Sequence, residues 1–209
     1  MNLEELSDFG GRARQRHAAS IVALEGLDVA SPDELSIDDL QDAYAEAMFI
    51  RAFTAYENDL ERLFLHYVTG GTTLQGRPAN TYLKVTDEYQ ARKITKAGFK
   101  FLSWAKPSET RATAMNYIEN GWPISDMLSG RSQVLSDCEK VRNRIAHNSI
   151  EAIIDFNSVQ RNMLQTERLF PITPGQFLRL RSQRLRKLHI SHYLDTMNET
   201  LSDIIDPPA

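Results

Sequence analysis

The run Val141-Arg142-Asn143-Arg144-Ile145-Ala146-His147-Asn148-Ser149 puts two guanidiniums, two carboxamides and an imidazole into little more than two helical turns. An imidazole titrates near neutrality, so it can take a proton from a hydroxyl or give one to a leaving oxygen. A guanidinium is planar and permanently charged, which suits it to the extra negative charge that builds on a reacting phosphodiester. On a regular helix Asn143 and His147 share a face, and Arg142 lies about 140° away from His147. Asn143 is therefore expected to steer His147 through a side-chain hydrogen bond. For Arg142 and His147 to reach one substrate, the helix has to loosen near its end or a second copy of the chain has to supply the missing group. The second route is the expectation.

The elements that must position these groups read as helices. Runs of alternating β-branched residues are nearly absent, so the fold class is all-α. Ser36 precedes Ile37-Asp38-Asp39-Leu40 and can cap a helix whose first turn carries carboxylates. Apolar residues then recur through Tyr44, Ala47, Met48, Phe53, Tyr56, Leu60, Leu63, Phe64 and Tyr67, which predicts a long core helix ending at Gly70-Gly71. Residues 87–97 read as a short helix with Tyr89 and Ile94 inward, and Pro107 opens another that runs to about Glu119. Between these two, residues 99–104 are compatible with a short strand. Asn120-Gly121-Trp122-Pro123 is a break, and one helix over 127–146 is predicted to carry the motif. Residues 151–164 and 185–205 complete the helical pattern, the latter with Leu188, Tyr193, Leu194, Met197, Leu201 and Ile204 inward. Residues 1–35 read as a peripheral segment and 36–205 as the helical core of a single domain spanning 1–209.

Arg142-Asn143 followed by His147 resembles the R-x4–6-H signature of HEPN domains, in which a polar residue commonly follows the arginine. The long preceding helix with Glu57-Asn58-Asp59, and Thr173-Pro174-Gly175-Gln176-Phe177 leading to His192-Tyr193-Leu194, resemble the prokaryotic RiboL-PSP or MAE-type HEPN proteins. The resemblance covers about residues 40–205. It implies a HEPN-like helical bundle that forms a homodimer around its motif helices and cleaves RNA with no metal or other cofactor. It assigns the catalytic site to Arg142, Asn143 and His147 and implies products ending in a 2′,3′-cyclic phosphate. Members of this kind serve as toxins or phage-defence effectors, which implies an antitoxin or regulatory protein as a further partner. Family members silenced by nucleotide transfer carry a tyrosine two positions after the histidine; Ser149 stands there in this chain. The rival expectation is a non-catalytic nucleotide- or RNA-binding or dimerisation module that serves a partner protein.

Supporting residues are read from their types. Glu57 and Asp59 either orient Arg142 or Arg144 across the bundle or face solvent. Arg179, Arg181, Arg184, Arg186 and Lys187 supply five cations in nine residues, which either track a nucleic-acid backbone or solvate a helix entry. His189 and His192 read as ordinary bundle residues.

Composition narrows the classes further. Of 209 residues 42% are apolar, and no run approaches the roughly 20 apolar residues of a membrane span. The acidic start Met1-Asn2-Leu3-Glu4-Glu5 is unlike a secretory signal, so a cytoplasmic protein is expected. Cys138 is the only cysteine, which excludes an internal disulfide or a cysteine-rich zinc site. The net charge of −4 divides into thirteen acids against four bases in residues 1–60 and fifteen against twenty thereafter. The basic share thus lies on the side of the sequence that holds the motif.

Overall fold

A computed structural model describes residues 36–97, 103–165 and 171–208, together with Gln15 and Ala19. Apart from Gln15 and Ala19, the expected peripheral segment falls outside the described residues, as does most of the candidate strand at 99–104. The all-α expectation holds: the described residues form eight α-helices, a single 3-10 turn and one two-stranded hairpin. They are α1 (Ile37–Val68), α2 (Glu88–Ala97), α3 (Pro107–Tyr117), α4 (Ile124–Ser129), α5 (Ser132–Ala146), α6 (Ile150–Leu164), α7 (Pro174–Arg179) and α8 (His189–Ile205). The hairpin strands are β1 (Arg181–Ser182) and β2 (Lys187–Leu188), antiparallel with Arg181 opposite Leu188. No described helix is long and apolar enough to cross a membrane.

The chain forms two compact units, and α1, α5 and α8 contribute residues to both. Among described residues the first unit holds 55–135 and 197–208, and the second holds 36–54 and 136–196. In the first, the Phe64 ring packs on Trp104 and Tyr117 at centroid distances of 5.1 and 5.8 Å. The Tyr67 hydroxyl donates to the Ile204 carbonyl at 2.6 Å, satisfying a polar group that α1 carries into the core. Arg131 closes this unit with a 2.6 Å ion pair to Asp203. The exit of α1 matches the glycine expectation. Gly70 adopts φ +90°, and a β-carbon on Gly71 would lie 2.2 Å from the His66 ring, so the turn folds onto that ring only with glycine there.

Two helix boundaries and one buried face differ from expectation. The predicted helix over 127–146 is two helices, broken at Gly130-Arg131, because glycine has little to gain from continuing a helix. In α2 the buried positions are Ala91 and Thr95, whereas Tyr89 and Ile94 are exposed. The Lys93 ammonium lies 4.6 Å from the Tyr89 ring centre, so this aromatic is covered by a cation instead of the core. The last helix begins at His189, since Arg181 to Leu188 turn back as the hairpin.

In the second unit, Phe49, Phe53, Phe156, Phe177, Tyr193 and Cys138 form the buried core. Ser36 caps α1 as its position suggests: its hydroxyl accepts from the Asp39 N–H at 3.1 Å, and the Asp39 carboxylate accepts from both the Ser36 hydroxyl and its N–H. Thr173 and Gln176 make the same reciprocal cap on α7, with Pro174 in its first turn. A β-carbon on Gly175 would sit 2.5 Å from the Asp42 carbonyl oxygen, so this glycine allows the α7 backbone to lie on α1. The Gly175 N–H then donates to the Glu46 carboxylate at 2.8 Å.

Candidate functional site

The motif closes α5 and opens α6, and its residues lie within the second unit. A hydrogen bond of 3.4 Å from the Lys140 ammonium to the Ser158 hydroxyl, across a connection of three residues, makes these helices an antiparallel pair. Helical bonding continues past the last residue of α5, since the His147 N–H donates to the Asn143 carbonyl at 2.8 Å. The helix does not loosen at this point. The backbone positions of Arg142 and His147 therefore stay about 140° apart around one axis, and of the two residues only His147 is exposed.

Arg142, Asn143 and Arg144 are half-buried, and His147 is exposed. The Arg142 guanidinium donates to the Asn143 side-chain oxygen at 3.0 Å, and the Asn143 amide nitrogen reaches the Glu139 carboxylate at 3.5 Å. The expected role of Asn143 is thus revised. Its backbone holds His147, but among described residues its side chain serves Arg142 and Glu139. The cause is geometric: residue 139 lies one turn below on the same face, and the long Arg142 side chain can bend around to its neighbour. Glu139 was missed from the sequence, although its spacing of four residues before Asn143 and eight before His147 marks the same face.

Ser149, in the position where some HEPN proteins carry a tyrosine, is the N-cap of α6 and accepts from the Ala152 N–H at 3.2 Å. Next to it, the Glu151 carboxyl is held below its ordinary pKa, first by its own backbone N–H and then by the Ser149 hydroxyl. Beyond this cap the first turns of α6 carry an exposed apolar stripe beside the exposed Glu151 and Asp155. Ile150, Ile153 and Ile154 are 73%, 37% and 60% exposed, at the i, i+3, i+4 spacing of one helical stripe. Sequence periodicity hides this feature, because an apolar stripe that faces a core and one that faces solvent have the same spacing.

Glu57 and Asp59 belong to the first unit; Asp59 is buried, so it does not face solvent, and Glu57 is half-buried. Of the five cations, Arg179 donates to the carboxylates of Asp42 at 2.6 Å and Asp38 at 3.1 Å, and to the Gln41 side chain. It joins α7 to α1. Lys187 pairs with Asp195 at 2.5 Å. Arg181, Arg184 and Arg186 are exposed on the hairpin.

His189 and His192 follow the hairpin on α8. The His189 Nδ1 donates to the Phe177 carbonyl at 3.1 Å, which leaves its buried Nε2 without a hydrogen-bond partner among the described residues. Burial first lowers the pKa of His189 and the Phe177 carbonyl opposes that shift. Both observations make it a neutral core residue. No family model, curated protein or solved structure matches the chain.

Proposed function

We propose that this chain is a HEPN-type endoribonuclease that works as a homodimer and needs no metal ion. The observation that carries this reading is the end of α5, where an exposed His147 follows a half-buried Arg142 whose guanidinium is fixed by Asn143. The two residues leave the helix about 140° apart, and in this reading a complete site takes His147 from one copy and Arg142 from the other. The isoleucine stripe of α6 begins three residues after His147 and supports pairing at this end. Isolated exposed apolar residues are ordinary on a soluble protein, but three isoleucines on one stripe mark a contact surface.

In the proposed reaction His147 takes the proton of a ribose 2′-hydroxyl while that oxygen attacks the adjacent phosphorus. The bond from phosphorus to the 5′ oxygen breaks, and the leaving oxygen acquires a proton from water. Arg142 offsets the negative charge that accumulates on the non-bridging oxygens. One product ends in a 2′,3′-cyclic phosphate and the other in a 5′-hydroxyl. Such an activity suits a toxin or phage-defence effector restrained by an antitoxin or regulatory protein, acting in the cytoplasm.

The test is incubation of RNA with the purified protein in a chelator, followed by identification of fragment ends. Cyclic phosphate ends, and a loss of about 10²- to 10⁴-fold in rate for His147→Ala, are expected. Intact RNA with saturable binding would instead identify a non-catalytic binding module.

A further inference from the structure

Residues 171–194 contain five cations and no carboxylate. The fold commits two of them to ion pairs, Arg179 with Asp38 and Asp42 and Lys187 with Asp195. The other three, Arg181, Arg184 and Arg186, are exposed on one short hairpin. Arg186 stands at φ +56°, in left-handed backbone where glycine or asparagine is the usual occupant and an arginine is disfavoured. The Arg181 guanidinium donates to the Arg186 carbonyl at 2.9 Å, which ties the first strand to this turn. His192, half-buried on the first turn of α8, senses the resulting field. Its pKa is lowered first by burial and next by Lys187, with Asp195 opposing and Arg184 adding to the effect.

The hairpin is fixed to α6, the helix that the motif opens. The His189 N–H donates to the Leu180 carbonyl at 3.0 Å, closing the hairpin base. The His189 ring packs on Phe177 at 4.6 Å, and Phe177 packs on Phe156 of α6 at 5.4 Å. Phe156 lies six residues, about 9 Å of helix, beyond the first residue of α6. His147 is only three residues before that start.

We propose that the hairpin over 181–188 holds the sugar-phosphate backbone of the single-stranded RNA cut at His147, through Arg181, Arg184 and Arg186. This rests on the nuclease reading of His147 and adds to it the element that retains the strand. Residues 181–188 include no aromatic side chain, so the hairpin offers charge without a stacking platform and reads the backbone instead of the bases. Arg179 and Lys187 are structural and stand outside the contact.

Binding of a short labelled oligouridine is measured by fluorescence anisotropy in a His147→Ala background, which prevents cleavage. Against this, Arg181, Arg184 and Arg186 are replaced together by glutamine, with Lys84→Gln as a surface-charge control. At about 100 mM salt the triple variant is expected to bind roughly 10- to 100-fold more weakly, and its log–log salt slope to be shallower by about 2. Lys84→Gln should match the parent, and all forms should share one thermal midpoint. An unchanged affinity and slope overturn the proposal, as does loss of binding to a polyglutamate peptide with RNA binding intact. Cleavage by the otherwise native protein with no rise in KM for the triple variant overturns the hairpin contact and leaves the nuclease standing. A shallower slope with no cleavage by any form sustains the RNA contact and overturns the nuclease.

Discussion

The Arg142 guanidinium donates to the side-chain oxygen of Asn143, its immediate neighbour, at 3.0 Å. Residues one apart on a helix point about 100° away from each other, so this bond draws the arginine around the helix toward the Glu139–Asn143 face. Asn143 is accordingly a positioning residue for the cation. In the proposed reaction its removal should lower kcat about 10-fold with little change in KM, since the guanidinium loses a fixed direction without losing its charge. Asn143→Asp keeps the acceptor for Arg142 but loses the donor to Glu139, so it should recover part of the rate. Steady-state kinetics of the two variants check this, and equal losses in both would contradict it.

Ser149 is expected to act through stability. Its hydroxyl satisfies the Ala152 N–H at the start of α6, so Ser149→Ala should cost about 1 kcal/mol and Ser149→Asp should cost little. Urea unfolding of the two variants measures the difference. An unchanged midpoint in Ser149→Ala would show that this cap contributes nothing.

The isoleucine stripe gives a prediction about assembly. Burying an isoleucine side chain contributes about 1.5–3 kcal/mol, so replacing both Ile150 and Ile154 by aspartate should abolish a dimer held by this face. Sedimentation should then report monomers, with the helical circular dichroism of the parent. A dimer of undiminished affinity would place the interface elsewhere.

Acid should destabilise the protein well above the carboxylate range. The pKa values of His66, His189 and His192 are all lowered, chiefly by burial. The folded state thus resists protonation that the unfolded chain accepts below the ordinary histidine value of about 6.5. More protons bind to the unfolded chain, so unfolding free energy falls as pH falls from about 7.5 to 5.5. Urea midpoints across this window check the direction, and His189→Phe should flatten the dependence. Stability that rises toward acid would contradict the burial of these rings.

The sequence made the long helix legible because Ser36, Asp39 and the Gly70-Gly71 pair act locally, through caps and backbone freedom. The motif rests on local information too, since Arg142, Asn143 and His147 are picked out by type and spacing alone. What escaped depends on neighbours distant in sequence. Tyr89 and Ile94 have helical spacing, yet the core accepts Ala91 and Thr95 from that helix. The cations from 179 to 187 look alike in the chain, but Asp38, Asp42 and Asp195 bind two of them and leave the hairpin three. The side-chain partner of Asn143 was misjudged because a flexible arginine reached it in place of His147.

Mixing two inactive variants tests the composite site most directly. Arg142→Ala retains His147, and His147→Ala retains Arg142, so a dimer with one chain of each rebuilds one complete site. Unfolded together and refolded, they should recover about a quarter of the native cleavage rate, since half the dimers are mixed and each holds one intact site of two. A mixture as inactive as its components, with mixed dimers demonstrated by differential tagging, would contradict a phosphodiester held between subunits.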